Sequence, residues 1–382
     1  MAEDRKDSPK RGSTGRNGSR SGDGTTTTEA KSEFLPPRPI SLRTLGDYLD
    51  LSPATISLVL NNAPGVRSIP QETRDRVIAA AKKFDYRPSF FARSLRRRQS
   101  FSVGVLVPEL SDGYSVLVMN GIEEVLMEEG YFYLTASHRR KADLIEEYPG
   151  LLMDRSVEGF IAIDTALQHS LPLPVVAVAG HKRLPGVTRI VLDHRRAAEL
   201  TLRHLYQLGH RQIAFMRGQT FSSDSDERWK SLMAVAKELS LEVAPELVVQ
   251  LQENISSPEL GYPVVPILMS HRKPFTALVS YNDLAAIGAI RSLRDHGLRV
   301  PEDVSVMGFD DIQGAAYHTP SLTTIRQPLN SMGNNAARIL LQRIRSGPDK
   351  SYPDELPIVP ELIIRESTLP PNPSRARKRK AN

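Results

Sequence analysis

Hydrophobic positions recur with two different periods along the chain, and the change of period predicts two kinds of structure. In residues 40–88 the apolar residues return every three or four positions, as in short amphipathic helices. From residue 101 onward, continuous apolar runs alternate with helical patterns, as in buried parallel strands joined by helices. The pattern therefore predicts a small all-α section followed by a large α/β section.

Two short helices are predicted to meet at a tight turn near the start of the all-α section. Leu42, Leu45 and Leu49 fall on one face of the first helix, and the turn follows directly. Ser52 is a favourable cap for the second helix, and Pro53 suits its first position, where the backbone N–H has no helical partner in any case.

The second helix has an inner and an outer side in this prediction. Ile56, Val59 and Leu60 form the inner face. The outer side and its start carry small, polar or uncharged residues that can approach DNA base edges or backbone. These candidate DNA-binding residues are Ser52, Pro53, Ala54, Thr55, Ser57, Leu58 and Asn61. A plain helical hairpin with no DNA role is the alternative for this segment taken alone.

A third helix and a basic segment come next. Val77, Ala81 and Phe84 share one helix face, and Pro88 favours an end to the helix because the residue before a proline is pushed out of the helical region. Residues 89–99 combine one apolar side with four arginines. This segment is the predicted linker to the large section.

The large section is predicted to be a two-lobed α/β domain with doubly wound parallel sheets. We expect strands at 102–107, 131–136, 159–163, 175–179, 212–216, 246–251, 276–280 and 304–308, and helices at 115–129, 142–154, 195–208, 227–239, 258–270 and 283–296. Because residues 101–369 are too many for one such sheet, we expect two lobes.

Charge is distributed unevenly along the chain. Residues 40–100 hold 11 Lys or Arg and 5 Asp or Glu, whereas residues 101–369 hold 26 and 33. A basic head on an acidic body is expected of a protein that binds nucleic acid through its N-terminal part. Residues 1–39, rich in Ser, Gly and Thr, are predicted to be a disordered arm, and residues 370–382 a basic disordered tail.

Composition and motifs also bear on the protein class. The chain has no cysteine, which excludes disulfides and thiolate metal sites and fits a reducing cytoplasm. No dinucleotide-binding or P-loop motif is found, and no metal-binding constellation stands out, so we expect no enzyme, catalytic residue, cofactor or metal. The N-terminus lacks a secretory signal, and no apolar run is long enough to span a membrane, so we expect a cytoplasmic protein.

Polar residues that follow the predicted strands are candidates for a ligand site, because ligands of open α/β sheets bind beyond the carboxyl ends of the strands. Arginine offers a rigid donor fork, and aspartate accepts paired hydrogen bonds from hydroxyls or amines. The candidates are Ser111, Asp112, Tyr114, Asp164, Thr165, His181, Arg228, Asn282, Asp283, Asp310 and Asp311.

The order of these parts strongly resembles the lactose-repressor and purine-repressor (LacI/GalR) family of bacterial transcription factors. The matching motifs lie at residues 51–61, 72–77, 86–95, 209–214, 282–288, 297–311 and 320–328. The resemblance covers roughly residues 40–369. It implies a type I periplasmic-binding-protein-like effector domain, a double-stranded DNA operator, a small-molecule effector between the lobes and a homodimer.

The resemblance also assigns roles to individual residues. Residues 89–100 match the family's hinge, in which Arg93 would hold phosphates and Leu95 would insert into the minor groove. A plain basic linker is the alternative. Arg228 and Asp310 match positions that usually contact effector, and Asn282 lies beside them.

Tyr114 and His181 complete the candidate effector set. A surface ion pair for Arg228 and a loop-stabilising acceptor role for Asp310 are the alternatives. Where many sugar-binding relatives have an aspartate after the 175–179 strand, this chain has residues 179–181, Ala-Gly-His. The effector is therefore expected to be a sugar or another metabolite, with no preference for a simple sugar.

The sequence thus predicts a sequence-specific transcriptional regulator, a repressor, with a head at 40–88, a hinge at 89–100 and an effector-binding and dimerisation domain at 101–369. The alternative is a solute-binding component of a transport system, built on the two-lobed domain alone.

Overall fold

The computed structural model describes residues 40–86, 99–110, 113–180, 182–253, 255–347 and 352–372. The chain divides between Pro88 and Ser89 into two compact units. The first unit contains the helical head, and the second contains the α/β body.

Three helices build the head: α1 (Leu42–Leu49), α2 (Pro53–Leu60) and α3 (Gln71–Lys83). The hydroxyl of Ser52 accepts a hydrogen bond from the backbone N–H of Thr55 at 3.1 Å, so the predicted cap of α2 is confirmed. Asp50 ends α1 in the left-handed region, with φ of 54°, which allows the tight turn.

Apolar residues from all three helices form the core of the head. This core contains Leu45, Leu49, Ile56, Val59, Val66, Val77, Ala80 and Ala81. The predicted inner faces of the three helices therefore pack against one another.

The body alternates strands and helices. Its strands in chain order are β1 (Ser102–Val107), β2 (Phe132–Ser137), β3 (Phe160–Ile163), β4 (Val175–Val178), β5 (Val187–Leu192), β6 (Ile213–Arg217), β7 (Val248–Gln250), β8 (Ala277–Val279), β9 (Ser305–Asp310), β10 (Thr323–Arg326), β11 (Glu355–Ile358) and β12 (Glu361–Ile363). Its helices are α4 (Gly113–Glu128), α5 (Ala142–Met153), α6 (His194–Gln207), α7 (Ser223–Glu238), α8 (Val264–Ser270), α9 (Asp283–Asp295), α10 (Gln313–Tyr317) and α11 (Leu329–Ser346).

Two six-stranded sheets define two lobes, as predicted. Lobe 1 has the order β11-β5-β4-β3-β1-β2, and its strand pairs are parallel. Lobe 2 has the order β12-β10-β9-β8-β6-β7, in which only the edge pair β10–β12 is antiparallel among the described strands. Apolar cores cover both faces of each sheet. The chain passes between the lobes after β5, after β10 and after β11.

Helices α4 and α11 pack closely on lobe 1 because glycines lie where they cross. A Cβ added to Gly121 would lie 1.9 Å from the carbonyl oxygen of Asn330, and one added to Gly333 would lie 1.9 Å from that of Val118. The contact therefore brings backbone against backbone.

Several elements differ from the sequence prediction. The helix predicted at 258–270 is wrong as one element: a single 3-10 turn at Pro258–Leu260 precedes α8, and Pro263 separates the two. Helix α7 begins at Ser223, earlier than predicted, because the hydroxyl of Ser222 caps it. In the parts of the chain that the structure covers, no helix is long and apolar enough to span a bilayer.

Candidate functional site

The outer side of α2 is largely accessible in the head. Ser52, Pro53 and Ala54 are exposed, and Thr55 and Leu58 are half-buried. These residues keep the arrangement expected of a helix that presents its start and one side to DNA.

Ser57 is a correction to the predicted outer side, because its side chain is buried with 5% exposure. The Asn61 amide at the end of α2 folds back over it, and its Nδ2 donates to the Ser57 carbonyl oxygen at 2.8 Å and lies 3.2 Å from Oγ. One helical turn separates the two residues, so the longer side chain covers the shorter one.

Arg93, Leu95 and His181 lie outside the described residues, as do Ser111 and Asp112. Their predicted roles stay predictions.

A polar cleft lies between the two lobes at the carboxyl ends of their strands. Its empty volume is about 650 Å³, which includes open solvent at the mouth. Lobe 1 contributes Gly113, Tyr114, Arg140, Asp164 and Ala179. Lobe 2 and its connections contribute Gln219, Ser222, Asp224, Arg228, Ile255, Ser256, Tyr281, Asn282, Leu284, Asp310, Ile312 and Gln327. The cleft thus gathers four predicted effector residues: Tyr114, Arg228, Asn282 and Asp310.

Arg228 lies on α7 and is held from several directions. Its Nη2 donates to Asp224 Oδ2 at 2.6 Å, and its Nη1 donates to the Tyr281 carbonyl oxygen. The guanidinium carbon lies 3.5 Å from the ring centroid of Phe309 and 4.7 Å from that of Tyr281. These contacts fix the guanidinium in the cleft wall, and the surface ion pair considered from sequence is wrong, because both residues of the pair are buried.

Asp310 ends β9 at the cleft in an unusual backbone conformation. The φ of Asp310 is 115°, and the φ of Asp311 is 59°. Residues other than glycine rarely adopt positive values of φ. Gln327 Nε2 donates to Asp310 Oδ1 at 2.6 Å. Asp311 turns to Arg326 and Arg365, at 2.7 and 2.6 Å, and is absent from the cleft lining.

Asn282 and Asp283 share the start of α9 but differ in role. Asn282 lines the cleft, and its Oδ1 also caps the helix by accepting from the Ala285 N–H at 2.9 Å. Asp283 is fully buried and accepts from Thr324 Oγ1 at 2.6 Å and from the Ile312 N–H at 2.9 Å. Burial raises the pKa of Asp283, and its contacts brace the segment that follows Asp310.

Lobe 1 presents an ion pair to the cleft. Arg140 Nη1 lies 2.8 Å from Asp164 Oδ2. The backbone N–H of Arg140 donates to His138 Nδ1 at 3.1 Å, so the ring proton lies on Nε2, which faces Thr165 Oγ1 at 2.9 Å. Burial, with a smaller effect of Arg140, lowers the pKa of His138 to about 4.

Contacts between described side chains join the lobes across the cleft. The guanidinium carbon of Arg140 lies 4.8 Å from the ring centroid of Phe221, and Ser256 Oγ donates to Glu109 Oε1. Lobe separation would break both contacts.

Several cleft residues were missed by the sequence analysis. Arg140 and Tyr281 follow strands β2 and β8, so the strand-end rule could have found them. Asp224 lies inside the first turn of α7, and Gln327 follows β10, which was not predicted as a strand.

Two family models match the chain. Residues 50–89 match "Bacterial regulatory proteins, lacI family", and residues 202–368 match "Periplasmic binding protein-like domain". The chain is 30% identical over 340 residues to an HTH-type transcriptional repressor PurR of Haemophilus influenzae, covering 86% of this chain and 98% of the relative. It is 31% identical over 326 residues to that of Serratia proteamaculans, covering 83% and 93%.

Solved structures share the fold. The lac repressor dimer bound to operator and the anti-inducer ONPF has a TM-score of 0.75 at 24% identity, covering 87% of this chain and 100% of that one. A LacI family regulator from Enterococcus faecium with bound ribose has a TM-score of 0.62 at 26% identity, covering 71% and 100%. The relatives matched along nearly their whole length are repressors, which favours a regulator over a transport component. The chain belongs to the LacI family of bacterial regulatory proteins.

Proposed function

We propose that this LacI-family transcriptional repressor reads its DNA operator with the outer side of α2 and loses operator affinity when a small molecule binds in the cleft between the lobes. The observation that carries the proposal is the convergence of polar side chains from both lobes on one cleft, in a chain that also has a helix–turn–helix head. A ligand that contacts both lobes binds one lobe arrangement better than another and so shifts their populations.

The apolar side chains on the outer side of α2 support apolar contacts with DNA bases. Pro53, Ala54 and Leu58 are the proposed specificity positions, with Ser52, Thr55 and Asn61 as neighbouring base or backbone contacts. None of the first three can form the bidentate arginine–guanine contact, so apolar contact with thymine methyl groups fits better.

The contacts of the cleft support an effector site. Arg228 and Asp310 come from different elements of lobe 2, and Tyr114 faces them from lobe 1. We assign these residues and Asn282 to the effector, with His181 as a further proposed contact. The solved regulator from Enterococcus faecium holds ribose, and the regulator CelR was solved with cellobiose, which fits a sugar or similar metabolite here.

The same proposal extends to the assembly of the protein and to its location in the cell. LacI-family repressors act as dimers on two-fold operators, and we propose that the body carries the dimer contacts of this chain. Operator binding also implies a cytoplasmic location.

The experiment is a selection of operators by the full-length protein from random double-stranded DNA, followed by fluorescence titration of the selected DNA with single metabolites. We expect a palindromic sequence and at least one metabolite that weakens binding. A metabolite that strengthens binding would reverse the proposed direction. Absence of any preferred sequence would contradict the proposed readout by α2.

A further inference from the structure

The charge of Arg228 is balanced inside the cleft wall before any effector arrives. Asp224 lies one turn earlier on α7, and its Oδ2 accepts from Arg228 at 2.6 Å while both side chains are buried. The other carboxylate oxygen, Oδ1, lies 2.9 Å from His194 Nε2. Asp224 is therefore anchored on both oxygens and cannot leave Arg228 without breaking two contacts.

Arg228 has little freedom to turn toward a new partner. Its guanidinium is packed against Phe309 and Tyr281, and it also donates to the Tyr281 carbonyl oxygen. An anionic ligand would have to compete with the Asp224 carboxylate, which already accepts a charge-assisted hydrogen bond from Arg228.

The whole cleft also has an excess of negative charge. Two arginines and three aspartates line it: Arg140, Arg228, Asp164, Asp224 and Asp310. The second arginine is also paired, because Arg140 lies 2.8 Å from Asp164. The formal balance of the lining is therefore negative.

The pKa of Tyr114 in the cleft reflects the same carboxylates. Burial raises the pKa of Tyr114 well above its usual value, and the carboxylates of Asp224, Asp164 and Asp310 raise it further. A negatively charged ligand group in this cleft would be disfavoured by the same burial and repelled by the same carboxylates.

We propose that Asp224 is a specificity-determining residue that makes the cleft reject anionic effectors, so that the effector is an uncharged or cationic hydroxylated molecule. The inference rests on the proposed effector role of the cleft. Hydroxyl and ammonium groups donate to the carboxylates that line it, whereas a carboxylate or phosphate on the ligand finds each arginine already paired with an aspartate.

The test uses Asp224→Asn in the full-length protein, because asparagine keeps the shape of the side chain and removes its charge. Sulfate is the probe, since it is small enough to reach Arg228 whatever the natural effector is. Binding is measured by calorimetry and by thermal shift, with chloride added to hold ionic strength constant. Asp226→Asn is the matched control, because Asp226 lies on the same helix, pairs with Arg217 and is absent from the cleft lining.

We expect Asp224→Asn to bind sulfate at least tenfold more tightly than the wild type and Asp226→Asn. The double variant Asp224→Asn/Arg228→Gln should lose this gain, which would locate the anion at Arg228. Equal sulfate affinity in the wild type and Asp224→Asn would overturn the proposal.

A second measurement needs no Asp224 variant and covers the case in which that variant does not fold. Metabolites that change operator affinity of the wild type, but not of Arg228→Ala, are sorted by charge, and we expect none to be anionic. An anionic effector that acts through Arg228 would overturn the role of Asp224 and leave the proposed function intact. If every metabolite that changes operator affinity still does so in Arg228→Ala, both the proposed effector site and the inference built on it are wrong.

Discussion

His138 shows how a buried residue outside the cleft lining can position a residue within it. Its Nδ1 accepts from the Arg140 N–H, where φ of Arg140 is 58°, so the imidazole stabilises a left-handed residue whose side chain reaches Asp164. Protonation at Nδ1 would place a proton against that N–H donor.

This arrangement predicts a pH-dependent stability. The pKa of His138 is lowered to about 4 in the folded protein, whereas histidine in an unfolded chain has a pKa of about 6.5. Between these values the unfolded chain binds the proton and the folded protein does not, so stability falls as the pH falls through this range. We expect His138 to contribute a loss of about 3 kcal/mol on acidification from pH 6.5 to 4.

Urea unfolding at both pH values measures this loss. His138→Gln should lose less stability on acidification than the wild type. His169→Gln is the control, because the His169 side chain is 64% exposed. Equal pH dependence in His138→Gln and the wild type would show that another group is responsible.

At the level of residues, the sequence predicted the cleft positions Tyr114, Asn282 and Asp310, which lie at or shortly after strand ends, and Arg228, which lies farther along after β6. It could not predict how these residues are paired. Asp224 reaches Arg228 because of their spacing on α7, whose start was placed too late. Ser57 was misplaced because a short polar side chain can be covered by its neighbour as easily as it can face solvent.

Helix α2 allows a test of base readout at the level of an element. Leu58→Arg places a long cationic donor at a proposed specificity position, so the preferred operator should change, because arginine favours guanine. Selection from a random DNA pool, before and after the substitution, measures the change. Ile78→Arg adds the same charge to an exposed position on α3 and should leave the selected sequence unchanged. An unaltered operator for Leu58→Arg would refute the assignment of α2.

The crossing of α4 and α11 predicts a large effect of one methyl group. Gly121→Ala would push its Cβ into the backbone of Asn330, so we expect a loss of about 1–3 kcal/mol of stability. Gly150→Ala in α5 is the control, since a Cβ there meets no atom within 4 Å and should stabilise the helix slightly. Denaturant unfolding compares the two. A harmless Gly121→Ala would mean that the two helices can move apart freely.

Strand β5 shows why some elements escaped prediction. Arg189 stands in the middle of this strand with 4% exposure, and a charge at that position argues against a buried strand. Arg189 Nη2 donates to Glu355 Oε2 on β11 at 2.6 Å, and this ion pair neutralises the buried charge. The two residues are 166 positions apart in the sequence, so the pairing could not be foreseen locally. Strands β11 and β12 are short and partly exposed edge strands, so they lack the continuous apolar run that revealed β1. Helix α11 has buried residues at helical spacing and is a helix that the sequence prediction did not include.

On the scale of the whole molecule, the body is expected to assemble without the head. Each of the two units has its own apolar core, and a two-fold operator requires two heads in a fixed arrangement. A chain that lacks residues 1–100 should therefore have the mass of a dimer in light scattering. A monomeric mass would indicate that the dimer contacts lie in the head or the linker.

Arg228→Ala tests whether a ligand in the cleft controls operator binding. Operator affinity is measured by fluorescence anisotropy during titration with a metabolite that weakens operator binding by the wild type. Lys230→Ala is the matched control, because Lys230 lies on the same helix, pairs with Glu227 and is exposed. We predict that Arg228→Ala binds operator normally without ligand but no longer responds, while Lys230→Ala responds as the wild type does. A response of Arg228→Ala at the wild-type ligand concentration would contradict the account, because the effector would then bind elsewhere.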